Sequence, residues 1–194
     1  MRAEHSTNKR KASQPFAGLW RILWNLTVAA MLLLPAAQAQ PTEHQLKAAV
    51  LGNVAKFVEW PEGKNSEPVT IGILGHDPFG NDLEIVLRNV KVKGKSIGVK
   101  RSDDIKDLDN CHLIFISARE GKRAKEWIQK IRKLPILTVG EDAHFLEAGG
   151  GIILETEQRK IQISINLPSV DMAGITVNPQ LLSLAKTVTR KEAQ

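Results

Sequence analysis

Few side chains in this sequence have a type and spacing that could do chemistry. Cys111 and His112 stand side by side, and a thiol next to an imidazole is the raw material of a nucleophilic dyad. Adjacent residues of a strand point to opposite faces, however. Within the apolar run "NCHLIFIS" the pair therefore reads as a buried, inert cysteine beside an edge histidine. An intermolecular bridge or a reactive thiol are the alternatives for Cys111. His44, His76, His112 and His144 are isolated, with no second ligand three or four positions away, so no metal site is expected. The G-x-S-x-G, H-E-x-x-H, P-loop and G-x-G-x-x-G patterns are missing as well. The expectation is a chain with no catalytic residues, no metal, no cofactor and no enzymatic activity.

Three glycine- or proline-marked stretches remain. "GHDPFG" follows a predicted strand, and the carboxyl ends of strands are where an open parallel sheet holds ligands. Gly75, Asp77, Pro78, Phe79 and Gly80 thus form a possible ligand loop. The same residues suit a strand-to-helix turn, with Asp77 as N-cap and Pro78 at the first helical position. Gly149 to Gly151 fit a tight turn with a close backbone approach, or an anion nest. The third stretch, "KFVEWPEG", ends a helix on Trp60 and Pro61. Proline drives the preceding residue out of helical geometry, so Trp60 must leave the helix extended. Two outcomes stand for its ring: a lid over the core, or an exposed aromatic anchor of the kind enriched at interfaces.

The elements that must position these stretches follow from the pattern. Residues 1–39 read as a secretory signal, with a basic start (Arg2, Lys9, Arg10, Lys11, Arg21), the apolar run "LTVAAMLLL", and small residues at Ala37 and Ala39. That run is shorter than the roughly 20 residues needed to span a bilayer. Cleavage near Ala39 leaves residues 40–194, enough for a single domain with its own core. The whole chain has 27 basic and 21 acidic residues. Residues 1–39 hold five and one of these, which leaves 22 against 20 and a net charge of +2. A near-neutral domain lacks the electrostatic footprint of a nucleic-acid binder.

Between Leu46 and Val58 the apolar residues fall into two helical stripes, with Gly52, Lys56 and Glu59 as a polar line. So wide an apolar surface predicts a helix covered on two sides, by its own sheet and by a second chain. Strands are then expected at "VTIGIL", "KSIGVKR", "HLIFIS" and "PILTVG", with helices at "DPFGNDLEIVLRN", "REGKRAKEWIQKIRKL" and "DAHFLEAGGG". "GIILETEQRKIQISINL" reads as a hairpin turning near Glu157 and Gln158, and "NPQLLSLAKTVTR" as a closing helix. The alternation predicts a single α/β domain: a mostly parallel sheet covered by helices, with an antiparallel hairpin at one edge.

Taken in order, "E-x-Q-x-K-A-A-x-L-x-N-x-x-K-F-V-E-W-P", "I-x-I-L-G-x-D-P-F-G", "C-H-L-I-F-I", "G-G-x-I" and "I-N-L" resemble the YfiR family of periplasmic regulators, across essentially all of residues 40–194. The resemblance implies a non-enzymatic, exported and usually dimeric domain. Such a domain represses an inner-membrane diguanylate cyclase from the periplasmic side, and an outer-membrane lipoprotein of the OmpA/Pal type can sequester it. Release of the cyclase raises cyclic di-GMP and favours biofilm. Lys56, Phe57, Glu59, Trp60 and Pro61 match the first motif and are the expected partner-binding surface. Asn166 and Leu167 match the "I-N-L" end and support the last helix. Family members can carry disulfide-forming cysteine pairs, whereas this chain has Cys111 alone, which excludes an internal redox bridge. Two other roles stay open: a periplasmic small-ligand sensor using the Asp77 loop or the edge hairpin, and an accessory protein of a sensor histidine kinase.

Overall fold

The computed structural model describes residues 40–64 and 67–189, and the described residues from Pro41 onward belong to one compact unit. The secretory signal expected over 1–39 lies outside the described residues. Helix α1 (Glu43–Lys56) opens with a capping box: the Thr42 hydroxyl accepts the Gln45 N–H, and the Gln45 side chain accepts the Thr42 N–H. The helices that follow are α2 (Asp82–Leu87), α3 (Lys122–Ile131), α4 (Ala143–Glu147), α5 (Leu167–Met172) and α6 (Pro179–Leu184).

A seven-stranded sheet forms the centre, in the order β11-β9-β8-β7-β6-β2-β5. It comprises β2 (Thr70–Leu74), β5 (Gly98–Ser102), β6 (Leu113–Ile116), β7 (Leu137–Gly140), β8 (Ile152–Glu157), β9 (Lys160–Asn166) and β11 (Thr187–Thr189). Every pairing is parallel except the β8–β9 hairpin. Two short ribbons lie outside it: β1 (Val58–Glu59) with β10 (Thr176–Val177), and β3 (Lys91–Val92) with β4 (Lys95–Ser96).

The period-2 alternation of β6 explains the layering. Leu113 and Phe115 face a core shared with α1, α2, α5 and α6, whereas Ile114 and Ile116 face a second core under α3 and α4. A strand buried on both faces has to be apolar throughout, which is why "LIFI" shows no polar alternation. The architecture is therefore a three-layer α/β sandwich, the mostly parallel sheet with an antiparallel hairpin that the sequence predicts, except that β11 pairs outside β9 and takes the edge expected for the hairpin.

Several expected details differ. The helix expected from Asp77 starts at Asp82, because Asp77 closes a local turn instead and Gly80 takes a left-handed φ of 51°. The closing helix stops at Leu184; Ala185 turns extended, and β-branched "TVT" pairs with β9 as strand β11. Gly52 is not on a polar line: it is buried against α2, where a Cβ would lie 2.7 Å from Leu87 Cδ2. The hairpin turns at Gln158 and Arg159, both at positive φ, as a two-residue loop between twisted strands requires.

Candidate functional site

The first motif becomes a strap at the amino ends of the strands. Helix α1 ends at Lys56, the chain passes through Phe57 into β1, and Pro61 turns it away. Trp60 is only 4% exposed. Its indole N–H donates to the His112 carbonyl at 2.9 Å, and its ring meets the His112 imidazole edge-on, with centroids 5.2 Å apart. The ring is therefore a lid on the core, and the exposed-anchor outcome does not hold. Of the expected contact residues, Lys56, Glu59 and Pro61 are exposed, Phe57 is half-buried, and Trp60 is inside.

His112 is likewise buried and not an edge residue. Its Nδ1 accepts the Thr70 N–H at 3.2 Å, which leaves the proton on Nε2, 3.1 Å from the Lys64 carbonyl. Burial holds its pKa below the ordinary histidine value. The Lys64 ammonium donates to the Cys111 carbonyl at 2.7 Å. Cys111 is buried, and burial pushes its thiol pKa up, which makes it inert. No Cys–His dyad forms, since both imidazole nitrogens are occupied by backbone groups.

The second motif is a clasp. The Asp77 carboxylate accepts the Phe79 N–H at 2.7 Å and takes the Arg101 guanidinium, also at 2.7 Å. Arg101 further binds the Glu84 carboxylate and the Gly80 carbonyl. The hydrogen bond from Arg101 keeps the Glu84 carboxyl below the usual glutamate range. Phe79 is buried, its ring 4.8 Å from that of Phe115. Gly75 sits at φ 75° where a Cβ would lie 2.3 Å from Glu120 Oε1, so the turn requires glycine. Asp77 is thus engaged within the protein, as is His76 Nε2 by Arg119, while the buried His76 Nδ1 has no hydrogen-bond partner among the described residues. The glycines at 149–151 are also structural: Phe145 covers Gly150 so closely that a Cβ there would lie 2.2 Å from its ring.

Sequence reasoning missed a third group. Lys47, on α1, has a side chain only 7% exposed and pairs with Glu141 at 2.7 Å and Glu43 at 2.8 Å. Glu141, 13% exposed at the carboxyl end of β7, also accepts from Ser117 Oγ (3.1 Å) and the Ala118 N–H (3.0 Å). Burial works to raise the Glu141 carboxyl, but the bonds from Lys47, Ala118 and Ser117 outweigh it and hold it below the usual range. Burial likewise works to lower the Lys47 ammonium, and its two carboxylate partners win and raise it. Glu141 and Ser117 line a cavity of about 480 Å³ between α3 and α4, with an apolar wall from Ile116, Ala124 and Phe145. This is where an open α/β sheet holds ligands. The Glu43–Lys47 spacing was a visible i,i+4 pair; the partner 94 residues away was not.

With the geometry in place, the comparison with known proteins is direct. The family described as YfiR/HmsC-like matches residues 44–186. The chain belongs to the YfiR/HmsC-like family. That family is one of periplasmic regulators, not of enzymes, and membership supports a periplasmic regulatory role in general. Among solved structures, a conserved domain protein of Vibrio cholerae superposes with TM-score 0.50 at 10% identity, over 76% of this chain and 60% of that one. An ABC domain of Streptococcus pneumoniae, solved with L-Trp, gives 0.48 at 14% identity, over 73% and 60%. The first likeness extends to the α/β fold alone, and the second is too distant to carry anything. The chain spans 60% of the length of each. In this YfiR/HmsC-like domain, no helix among the described residues is long and apolar enough to cross a membrane. The first two motifs serve mainly to close the core, and at its Lys56–Pro61 end the first leaves Lys56, Glu59 and Pro61 at the surface.

Proposed function

We propose that this chain is a non-enzymatic periplasmic repressor that docks on the periplasmic part of an inner-membrane diguanylate cyclase and lowers cyclic di-GMP production. The observation that carries the reading is the YfiR/HmsC-like match over residues 44–186. The secretory pattern of residues 1–39 supports export. The contact surface is the exposed part of the strap, Lys56, Glu59 and Pro61, with the edge of Phe57. A second copy packs over α1 and α2, where Ile85 is exposed and Val50 and Val86 are half-buried, to give a homodimer. An outer-membrane OmpA/Pal-like lipoprotein sequesters the repressor. Repression works by population shift: the domain moves the cyclase only by its differential affinity for the inactive state.

The test is calorimetric titration of residues 40–194 into the periplasmic part of a diguanylate cyclase from the same cell. Saturable binding is expected. Lys56→Glu combined with Glu59→Lys should weaken it with only a small fall in melting temperature, since both side chains are exposed and Lys56 acts on the fold only through the last turn of α1. Binding that survives this double variant would keep the function and move the contact surface. A folded domain that binds no such cyclase, and binds a histidine kinase instead, would keep the regulatory class and change the pathway.

The cavity beside Glu141 favours a second reading, a small-ligand sensor that tunes or replaces repression. A metabolite that raises the melting temperature of the parent chain, but not of Ala118→Phe, whose ring would fill the cavity from an exposed position, supports it.

A further inference from the structure

We infer that the outward face of α3 is a docking surface for an anionic phospholipid bilayer. Residues 119–133 hold seven basic and two acidic side chains, a net charge of +5 in a domain whose total is +2. The helix has ten residues, about 15 Å. It buries Ala124, Trp127, Ile128 and Ile131 in the core, which leaves its cations at the surface, Lys122 and Lys125 at the mouth of the cavity beside Glu141. Lys122, Lys125, Lys130, Arg132 and Lys133 are all exposed, and among the described residues none of the five has an ion-pair partner. Arg123 differs: it pairs with Glu120 at 3.1 Å and lies over the Trp127 ring at 4.6 Å.

A solvated charged face is the usual fate of such a helix. Two observations set this one apart. First, two of the four exposed large apolar side chains among the described residues, Leu134 and Met172, lie beside these cations. Leu134, 38% exposed, lies three residues beyond the helix, and Met172, 52% exposed, joins Gln129 and Arg132 across a groove of about 140 Å³. Cations ringed by a few apolar side chains match a headgroup layer, where charge meets phosphate and apolar tips enter the acyl boundary. Second, the other basic segment, residues 88–101, is largely engaged within the protein, with Arg88 and Lys91 as its exceptions. Arg101 is held by Asp77 and Glu84, Lys100 by the Asp107 carbonyl, and Lys93 and Lys95 make bonds of their own. Charge complementarity on this largely unpaired face thus favours a planar anionic surface. An acidic patch on a partner protein is the competing occupant, and the test separates the two. Docking through α3 leaves the strap, on the other side of the sheet, free for a partner.

The experiment is co-sedimentation of residues 40–194 with vesicles of phosphatidylglycerol and phosphatidylcholine, against vesicles of phosphatidylcholine alone. Residues 1–39 are omitted because their five basic residues would bind anionic lipid by themselves. Binding to the anionic vesicles, reversed by salt, is expected. Lys125→Gln, Lys130→Gln and Lys133→Gln together should lower the partition constant about 100-fold, at about fivefold per lysine. The same change at Lys91, Lys93 and Lys95 should lower it by less than about threefold. No binding to anionic vesicles at low ionic strength overturns the inference. So does equal loss from both triple variants, or a loss of cyclase binding in the α3 variant when no lipid is present, which would assign the face to a protein. The vesicle result does not depend on the cyclase reading, so the two fail separately.

Discussion

Replacing Lys47 by methionine tests the group that the sequence concealed. Methionine keeps the length and apolar stem of the side chain and removes the charge. The change leaves the Glu141 carboxylate, 13% exposed, with Ser117 and the Ala118 N–H as its partners. Breaking one side of a buried pair costs about 3–5 kcal/mol. Two retained hydrogen bonds put this case at the low end, and the half-exposed Glu43 contact adds little after solvent screening, so about 3 kcal/mol is expected. Urea denaturation at a series of pH values reads the effect. In the parent chain the Glu141 pKa is lowered, so its contribution is present above the ordinary value near 4.5 and lost as pH falls below it. Without Lys47 two of the causes that lower the carboxyl pKa are gone while burial still raises it, so the variant loses less stability than the parent as pH falls. The gap between the two proteins should therefore shrink toward pH 4. Adding Glu141→Gln, which removes the buried charge, should recover about 1–2 kcal/mol. A gap below about 1 kcal/mol at pH 7, or one that does not change with pH, would refute the assigned pair.

Three other outcomes follow from the geometry. Trp60→Phe should cost about 1 kcal/mol in urea denaturation through the lost bond to the His112 carbonyl, and Trp60→Ala about 3–5, so partner-binding assays on Trp60→Ala would report unfolding. Because burial lowers the His112 pKa, the unfolded chain binds the extra proton first. Stability should fall as pH drops through the ordinary value near 6.5, a step that His112→Asn should flatten. Gly75→Ala, at positive φ and against Glu120, should lower stability by about 2 kcal/mol or more, whereas Gly80→Ala, at positive φ but in open space, should cost about 1, both measured by thermal unfolding.

Long patterns were legible in the sequence and pairings across the chain were not. The continuous apolar run of β6 and the strongly periodic "REGKRAKEWIQKIRKL" helix both appear where expected. Strands β1 and β10, two residues each, are too short for a period to show, and they exist because Val58 and Val177 meet. Helix α5 had a readable start in Asn166 and Pro168, with the Asn166 side chain capping Ser169, but its six residues hid inside the end of the hairpin. Trp60 illustrates the limit for the site. Proline fixed where its backbone had to go, while the choice between lid and anchor depended on a carbonyl at His112, 52 residues away. Lys47 and Glu141 were invisible for the same reason: a buried lysine looks like a surface one until its distant partner is in place.

The central claim is repression, and the most direct measurement is cyclic di-GMP in the parent cell with the chain present, deleted and restored. Deletion should raise the nucleotide level, and the rise should vanish when the partner cyclase is deleted as well. The parent chain should restore the low level, while the Lys56→Glu and Glu59→Lys variant, exported in equal amount, should not. Unchanged cyclic di-GMP on deletion, or a rise that persists without any periplasm-facing cyclase, would contradict the account.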